Sequence, residues 1–119
     1  MSTQPEELRD RTKKFALRVI RLFRSLLYRV DSQVLGKQLL RCGTSVAANY
    51  RAVCRARSKA EFIARIGVVA EEADEAVLWL ELLSESGIIK VELTRELLTE
   101  ARELAAIFTA SQQTAKRLA

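Results

Sequence analysis

The chain has no histidine. That removes the commonest general base and the commonest metal ligand, and it excludes the Glu-x-x-His pairs of a di-iron bundle. Pro5 is the only proline, and the glycines are Gly36, Gly43, Gly67 and Gly87. A β-rich domain of 119 residues needs more turn residues than these. No glycine-rich phosphate loop and no Gly-x-Ser-x-Gly elbow is present. No run is long and apolar enough to span a bilayer, and Met1 to Asp10 is too polar for a signal peptide. The two cysteines, Cys42 and Cys54, fall in one expected helix about 18 Å apart, which is too far for a disulfide. Two free, buried thiols suit a reducing compartment, so a bacterial cytoplasmic protein is expected. No catalytic residue, metal site or cofactor is expected.

What is present favours helix. Apolar residues make up 49% of the chain and charged residues 29%, a globular composition rich in Ala, Leu, Arg and Glu. One domain, residues 1–119, with one core is expected. Helix one is read from about 6 to 29, where Leu8, Phe15, Val19, Leu22 and Leu26 form a buried face. Pro5, Glu6 and Glu7 suit its first turn. Helix two is read from about 33 to 57, with Asp31 or Ser32 as N-cap and with Leu35, Leu39, Cys42, Val46, Asn49 and Val53 at heptad spacing. Ser58 and Glu61 form a capping box for helix three, read from about 59 to 86, with a very short link before it. Gly87 suits the position after that helix, with Ile88 packing back on Leu83. Helix four is read from about 93 to 116 around Leu97, Ala101, Leu104 and Phe108. The short links predict an antiparallel, up-down-up-down four-helix bundle, an all-α fold.

Charge is sorted along the chain. Residues 1–59 hold fourteen basic and four acidic residues, a net of +10; residues 60–119 hold six and eleven, a net of −5. Arg11, Lys14, Arg18 and Arg21 form one stripe on helix one. Lys37, Arg41, Arg51 and Arg55 share a face of helix two. Such faces can track a phosphate backbone, because each cation replaces condensed counterions. The plain alternative is a solvated helix surface. Glu92, Glu96, Glu100 and Glu103 line up on helix four, either as wet surface or as a partner for the basic stripe of another copy, in which case the copies can close into a ring.

Some polar residues sit among apolar ones. Asn49 lies on the seam of helix two, and Glu71, Glu72, Asp74 and Glu75 crowd the middle of helix three. These are expected to form a structural polar network of Asn49, Glu71, Glu72 and Glu75, with at least one carboxylate meeting an arginine of helix one or two, or Asn49. Trp79 is expected in the core or at an interface. Tyr50, beside Arg51, is the better candidate for stacking on a base.

The segment from Gly43-Thr44-Ser45-Val46-Ala47-Ala48-Asn49-Tyr50 through Cys54-Arg55-Ala56-Arg57-Ser58-Lys59-Ala60-Glu61-Phe62-Ile63, Glu71-Glu72-Ala73-Asp74-Glu75 and Trp79-Leu80-Glu81-Leu82-Leu83 resembles a bacterial four-helix-bundle family. That family is named for the intervening sequence of 23S ribosomal RNA genes. The resemblance spans about residues 10–110. It implies the up-down-up-down bundle and a likeness to the accessory protein of diversity-generating retroelements, a cationic pentameric ring that works with a reverse transcriptase. A homo-oligomer, a pentamer first, is therefore expected, with a reverse transcriptase as a protein partner by analogy alone. Many relatives have Glu where this chain has Arg51, so this chain is more basic there. The expected function is a non-enzymatic oligomeric scaffold binding nucleic acid, RNA before DNA. Its contacts would be Arg11, Lys14, Arg18, Arg21, Lys37, Arg41, Tyr50, Arg51 and Arg55. The alternative is a protein-interaction ring whose basic face binds an acidic partner.

Overall fold

A computed structural model describes residues 3–118; residues 1, 2 and 119 of the expected domain lie outside it. Four helices follow in order: α1 (Gln4–Ser25), α2 (Val30–Val53), α3 (Lys59–Glu85) and α4 (Val91–Arg117). Each packs on its sequence neighbours, and α1 meets α4 to close the bundle. The α1–α4 seam is the thinnest of the four. The core is the inner seam read from the periodicity: Phe15, Val19, Leu39, Val46, Ile66, Val69, Leu80, Leu83, Leu104 and Phe108 are all buried.

Local chemistry explains the well-placed ends. Ser58 is extended, and its side chain accepts from the Glu61 N–H, at 3.0 Å. The Glu61 carboxylate reaches the Arg57 N–H rather than the Ser58 N–H, so only half of the box forms. Gly87 has φ +82°, a conformation that only glycine adopts freely, and it ends α3 as expected. Ile88 packs half-buried against the core there, Ile89 is buried, and it is the Ile89 N–H that bonds Leu83 O, at 3.0 Å. A full capping box opens α1: Thr3 accepts from the Glu6 N–H, and Glu6 accepts from the Thr3 N–H.

Three boundaries differ from the sequence reading by three residues or more. Helix α1 stops at Ser25, four residues short of the expected 29, and Leu26 is extended. Ser25 Oγ donates to Leu22 O at 2.7 Å as the helix ends. Nothing in Leu26–Arg29 punctuates the chain, so apolar periodicity runs straight through a link. Helix α2 starts at Val30 with Arg29 as an N-cap that makes no side-chain bond; Asp31 and Ser32 lie inside its first turn. It ends at Val53 rather than 57, because Ser58 must be extended to cap α3. Cys54 therefore lies past the helix and is exposed, against expectation, whereas Cys42 is buried. Gly43 lets α1 approach α2: a Cβ there would lie 2.8 Å from a Val19 methyl.

Candidate nucleic-acid interface

The basic stripe of α1 lies over the acidic stripe of α4. The Arg11 guanidinium donates to both Glu100 oxygens, at 2.8 and 2.7 Å, and to Glu103 at 2.8 Å. Arg11 is therefore held by two carboxylates of its own chain. The hydrogen bonds from Arg11 hold the Glu100 carboxyl below the usual range, and the charge of Arg18 adds to this. Arg18 and Arg21 line one cavity with Glu92 and Glu96. Lys14 pairs with Asp10 at 2.9 Å. Glu100 and Glu103 thus find their cation inside the chain, on the neighbouring helix.

A second cluster ties α2 to α3. Arg41 donates to Glu75 at 2.7 Å, to Glu72 at 3.3 Å and to Cys42 Sγ at 3.2 Å. The Cys42 thiol donates to the same Glu75 oxygen at 2.9 Å. Burial and then the Glu75 carboxylate push the Cys42 thiol up to about 12, so its proton stays on sulfur. The bonds from Cys42 and Arg41 hold Glu75 low. Ligand-type atoms of Cys42, Glu72 and Glu75 lie within 4.8 Å of one another. The Arg41 guanidinium donates to all three, so a metal would have to displace it. The protonated thiol is a hydrogen-bond donor here and not a nucleophile.

This cluster is the expected polar network with different members. Glu72 and Glu75 belong to it, joined by Arg41 and Cys42. Glu71 is exposed. Asn49 donates instead to Ser45 O and Ser45 Oγ, at 3.0 and 2.8 Å, within its own helix. Tyr50 occupies the seam position: it is 5% exposed, and its ring lies 5.3 Å from that of Phe108. It is therefore core and offers no face to a base. Burial pushes its phenol up to about 12. Trp79 packs half-buried against the core, and its Nε1 is buried without a partner.

The remaining cations gather elsewhere. Arg51 and Arg55 meet Arg9 and Lys13 around a cavity of about 520 Å³ where α1 begins and α2 ends; Asp10 and Cys54 complete the lining. Among the described residues, none of these four cations has a carboxylate partner. Lys37 is exposed and also unpaired, but it lies toward the other end of α2. The nine expected nucleic-acid contacts are thus dispersed. Arg11 and Arg41 are engaged, Tyr50 is buried, Lys14 is paired, and Arg18 and Arg21 share a cavity lining with Glu92 and Glu96 without forming an ion pair among the described residues. Arg9 and Lys13 were missed. Their signal was present: both pairs have i,i+4 spacing, and antiparallel helices bring the start of α1 beside the end of α2.

The sequence profile of the 23S rRNA-intervening sequence protein family matches residues 6–110. The chain belongs to that family. A crystal structure of a protein of unknown function from the S23 ribosomal protein family of Bacteroides thetaiotaomicron superposes with a TM-score of 0.82. It is 31% identical, and the match covers 88% of this chain and 97% of that one. Comparison with curated proteins finds no match. Among the described residues no helix is long and apolar enough to cross a membrane. Nothing in the family match or the geometry points to catalysis.

Proposed function

We propose that this family member is a non-catalytic, homo-oligomeric scaffold that binds nucleic acid at the basic end of its bundle. The observation that carries the reading is the convergence of Arg9, Lys13, Arg51 and Arg55 with no carboxylate partner among the described residues. Elsewhere Arg11, Arg41, Arg65 and Arg102 are matched to carboxylates of this chain. Unmatched cations held close together repel, and a polyanion relieves that repulsion. The family is named for an intervening sequence of 23S rRNA, and that association makes RNA the first ligand to test. Self-association is supported by large apolar residues left in solvent: Leu27 is 75% exposed, Tyr28 93% and Val30 83%. Five copies is the number to test first, on the resemblance given above.

The test is fluorescence anisotropy with a mixed-sequence RNA over a salt series. Arg51→Glu with Arg55→Glu is expected to weaken binding to every sequence and to reduce the log–log salt slope by about 0.7 per lost contact. The control is Lys90→Glu with Arg95→Glu, which makes the same charge change at exposed sites in the acidic half. Glu100 is unsuitable as a control, because reversal there breaks the Arg11 pair. Equal binding by the Arg51/Arg55 variant and the parent overturns the reading.

A further inference from the structure

The basic cavity has features that a general phosphate-tracking face lacks. Its cations sit in two i,i+4 pairs, Arg9 with Lys13 and Arg51 with Arg55, on antiparallel elements. Four positive side chains and one carboxylate line about 520 Å³, and that carboxylate, Asp10, is already bridged to Lys14 at 2.9 Å. The volume lies within the roughly 300–1,000 Å³ of small-ligand sites. A single phosphate monoester brings roughly −1.5 to −2 charge, about half of what four cations can match. Contiguous phosphates supply the rest.

The lining also says what is not read. It contains no aromatic ring and no side-chain amide. Tyr50, the nearby ring, is buried against Phe108. A base would find no aromatic stacking platform, and the guanidinium and ammonium groups that could meet its edge are the same ones that meet phosphate oxygens. The cationic track is short as well. One turn further toward the opposite end stand Leu17 on α1 and Ala48 on α2, and Thr44 follows a turn later. The next unpaired cation on α2 is Lys37, about 21 Å from Arg51 along the helix. A strand laid against α2 along that groove leaves the charge behind after one cavity.

We propose that this cavity binds a compact oligophosphate and recognises its charge, not a base. Two sources carry that group: a free nucleoside triphosphate, and the 5′-triphosphate end of an RNA. The RNA source rests on the nucleic-acid reading above; the free nucleotide does not.

Cys54 supplies the readout. It lines the cavity and is exposed, whereas Cys42 is buried and holds its proton. Iodoacetamide labelling of the intact protein, followed by mass spectrometry of the Cys54 peptide, therefore reports on the cavity. Inorganic tripolyphosphate or ATP at a hundred times its dissociation constant is expected to slow labelling about a hundredfold, by mass action. Sodium chloride at equal ionic strength is expected to slow it far less. ATP and GTP are expected to protect equally. Lys13→Glu with Arg55→Glu removes protection, and Lys13→Gln with Arg55→Gln gives a graded loss should the first pair fold poorly. An RNA oligomer bearing a 5′-triphosphate is expected to bind about tenfold tighter than its 5′-hydroxyl twin. Protection by ATP with equal binding of the two RNAs assigns the cavity to free nucleotides. Protection with no RNA bound at all keeps the cavity and removes the nucleic-acid reading. No protection by tripolyphosphate or ATP, with both RNAs bound equally, overturns the oligophosphate cavity and leaves the nucleic-acid reading standing.

Discussion

At the end of the bundle where α1 begins and α2 stops, exposed positions carry Arg9, Lys13, Arg51 and Arg55. At the opposite end, along a molecule 46 Å long, they carry Leu27, Tyr28, Val30 and Val34 from the first link and α2, with Val91 and Leu93 from α4. The same antiparallel topology makes both ends, so the difference is one of side chains alone. A cationic end whose four clustered cations pair with no carboxylate among the described residues attracts anions. An apolar end in water favours covering by another surface. The α1–α4 seam between them shows a third arrangement, in which charge of both signs is spent inside the chain.

The comparison requires one core that holds both ends in place. Leu80 is fully buried in it. Leu80→Asp is expected to cost about 4 kcal/mol or more, because an unpaired charge enters the core, and that is a large part of a domain's stability. Circular dichroism should show loss of helix, and RNA binding and assembly should fail together. If a stable Leu80→Asp protein lost function at one end only, the ends would not share a core.

The ends should then separate cleanly. Arg51→Glu with Arg55→Glu is expected to lower RNA affinity about a hundredfold at low salt while the oligomer keeps its mass. Leu27→Ser with Tyr28→Ser should do the reverse. Light scattering coupled to chromatography should shift from a multiple toward the mass of one chain, and binding by each protomer should persist. Only avidity across copies should fall. A variant at either end that abolishes both properties would show that assembly builds the binding surface.

How far these ends could be read in advance follows from where the determining contacts lie. Ser58 with Glu61 and the lone Gly87 mark helix ends by chemistry within a few residues, and both were placed from sequence. The Leu26–Arg29 link carries no such mark, so the apolar end was hidden inside an expected helix. Val46 is followed by both Asn49 and Tyr50 at permitted seam spacings. Periodicity alone favours neither, and packing against Phe108 chose Tyr50. The stripe on α1 was visible as spacing, but its neighbour was not. Arg11 meets Glu100 across 89 residues of chain, and no local pattern encodes that pairing. Cys42 and Glu75 were each noticed, for different reasons, and only the α2–α3 contact joins them.

That join gives the protein a sensitivity to base. Folding raises the Cys42 thiol from its ordinary value of 9.0 to about 12. The folded state therefore favours the protonated thiol. The associated stability is fully present below pH 9 and is lost as pH rises toward 12. Tyr50 shifts in the same direction, so the decline has two sources. Cys42→Ala should flatten part of it, at the cost of a small cavity. In native protein near neutral pH, thiol reagents should modify Cys54 and spare Cys42 until unfolding. Equal labelling of both would contradict the buried, protonated Cys42.

The smallest effect is the sharpest test of paired against unpaired cations. Arg11 is as basic as Arg51, and both lie in the positively charged half of the sequence. Charge counting therefore predicts that each contributes to RNA binding. The geometry predicts otherwise, because Arg11 is engaged by Glu100 and Glu103 and binding a phosphate would break bonds of 2.7 and 2.8 Å. Arg11→Gln is expected to leave RNA affinity within about twofold of the parent, against about a hundredfold for the Arg51/Arg55 pair. Its cost should appear in stability instead, at about 1 kcal/mol, since Arg11 is partly exposed and solvent screens the pair. The sign with pH follows from Glu100. Its folded carboxyl lies below the ordinary 4.5, so the pair stabilises above that value and is lost as pH falls through the lowered one. Urea unfolding of parent and variant should differ at pH 7 and converge in acid. A large loss of RNA affinity by Arg11→Gln, with no change in stability, would return the binding face to the α1 stripe and end the distinction between the seam and the basic end.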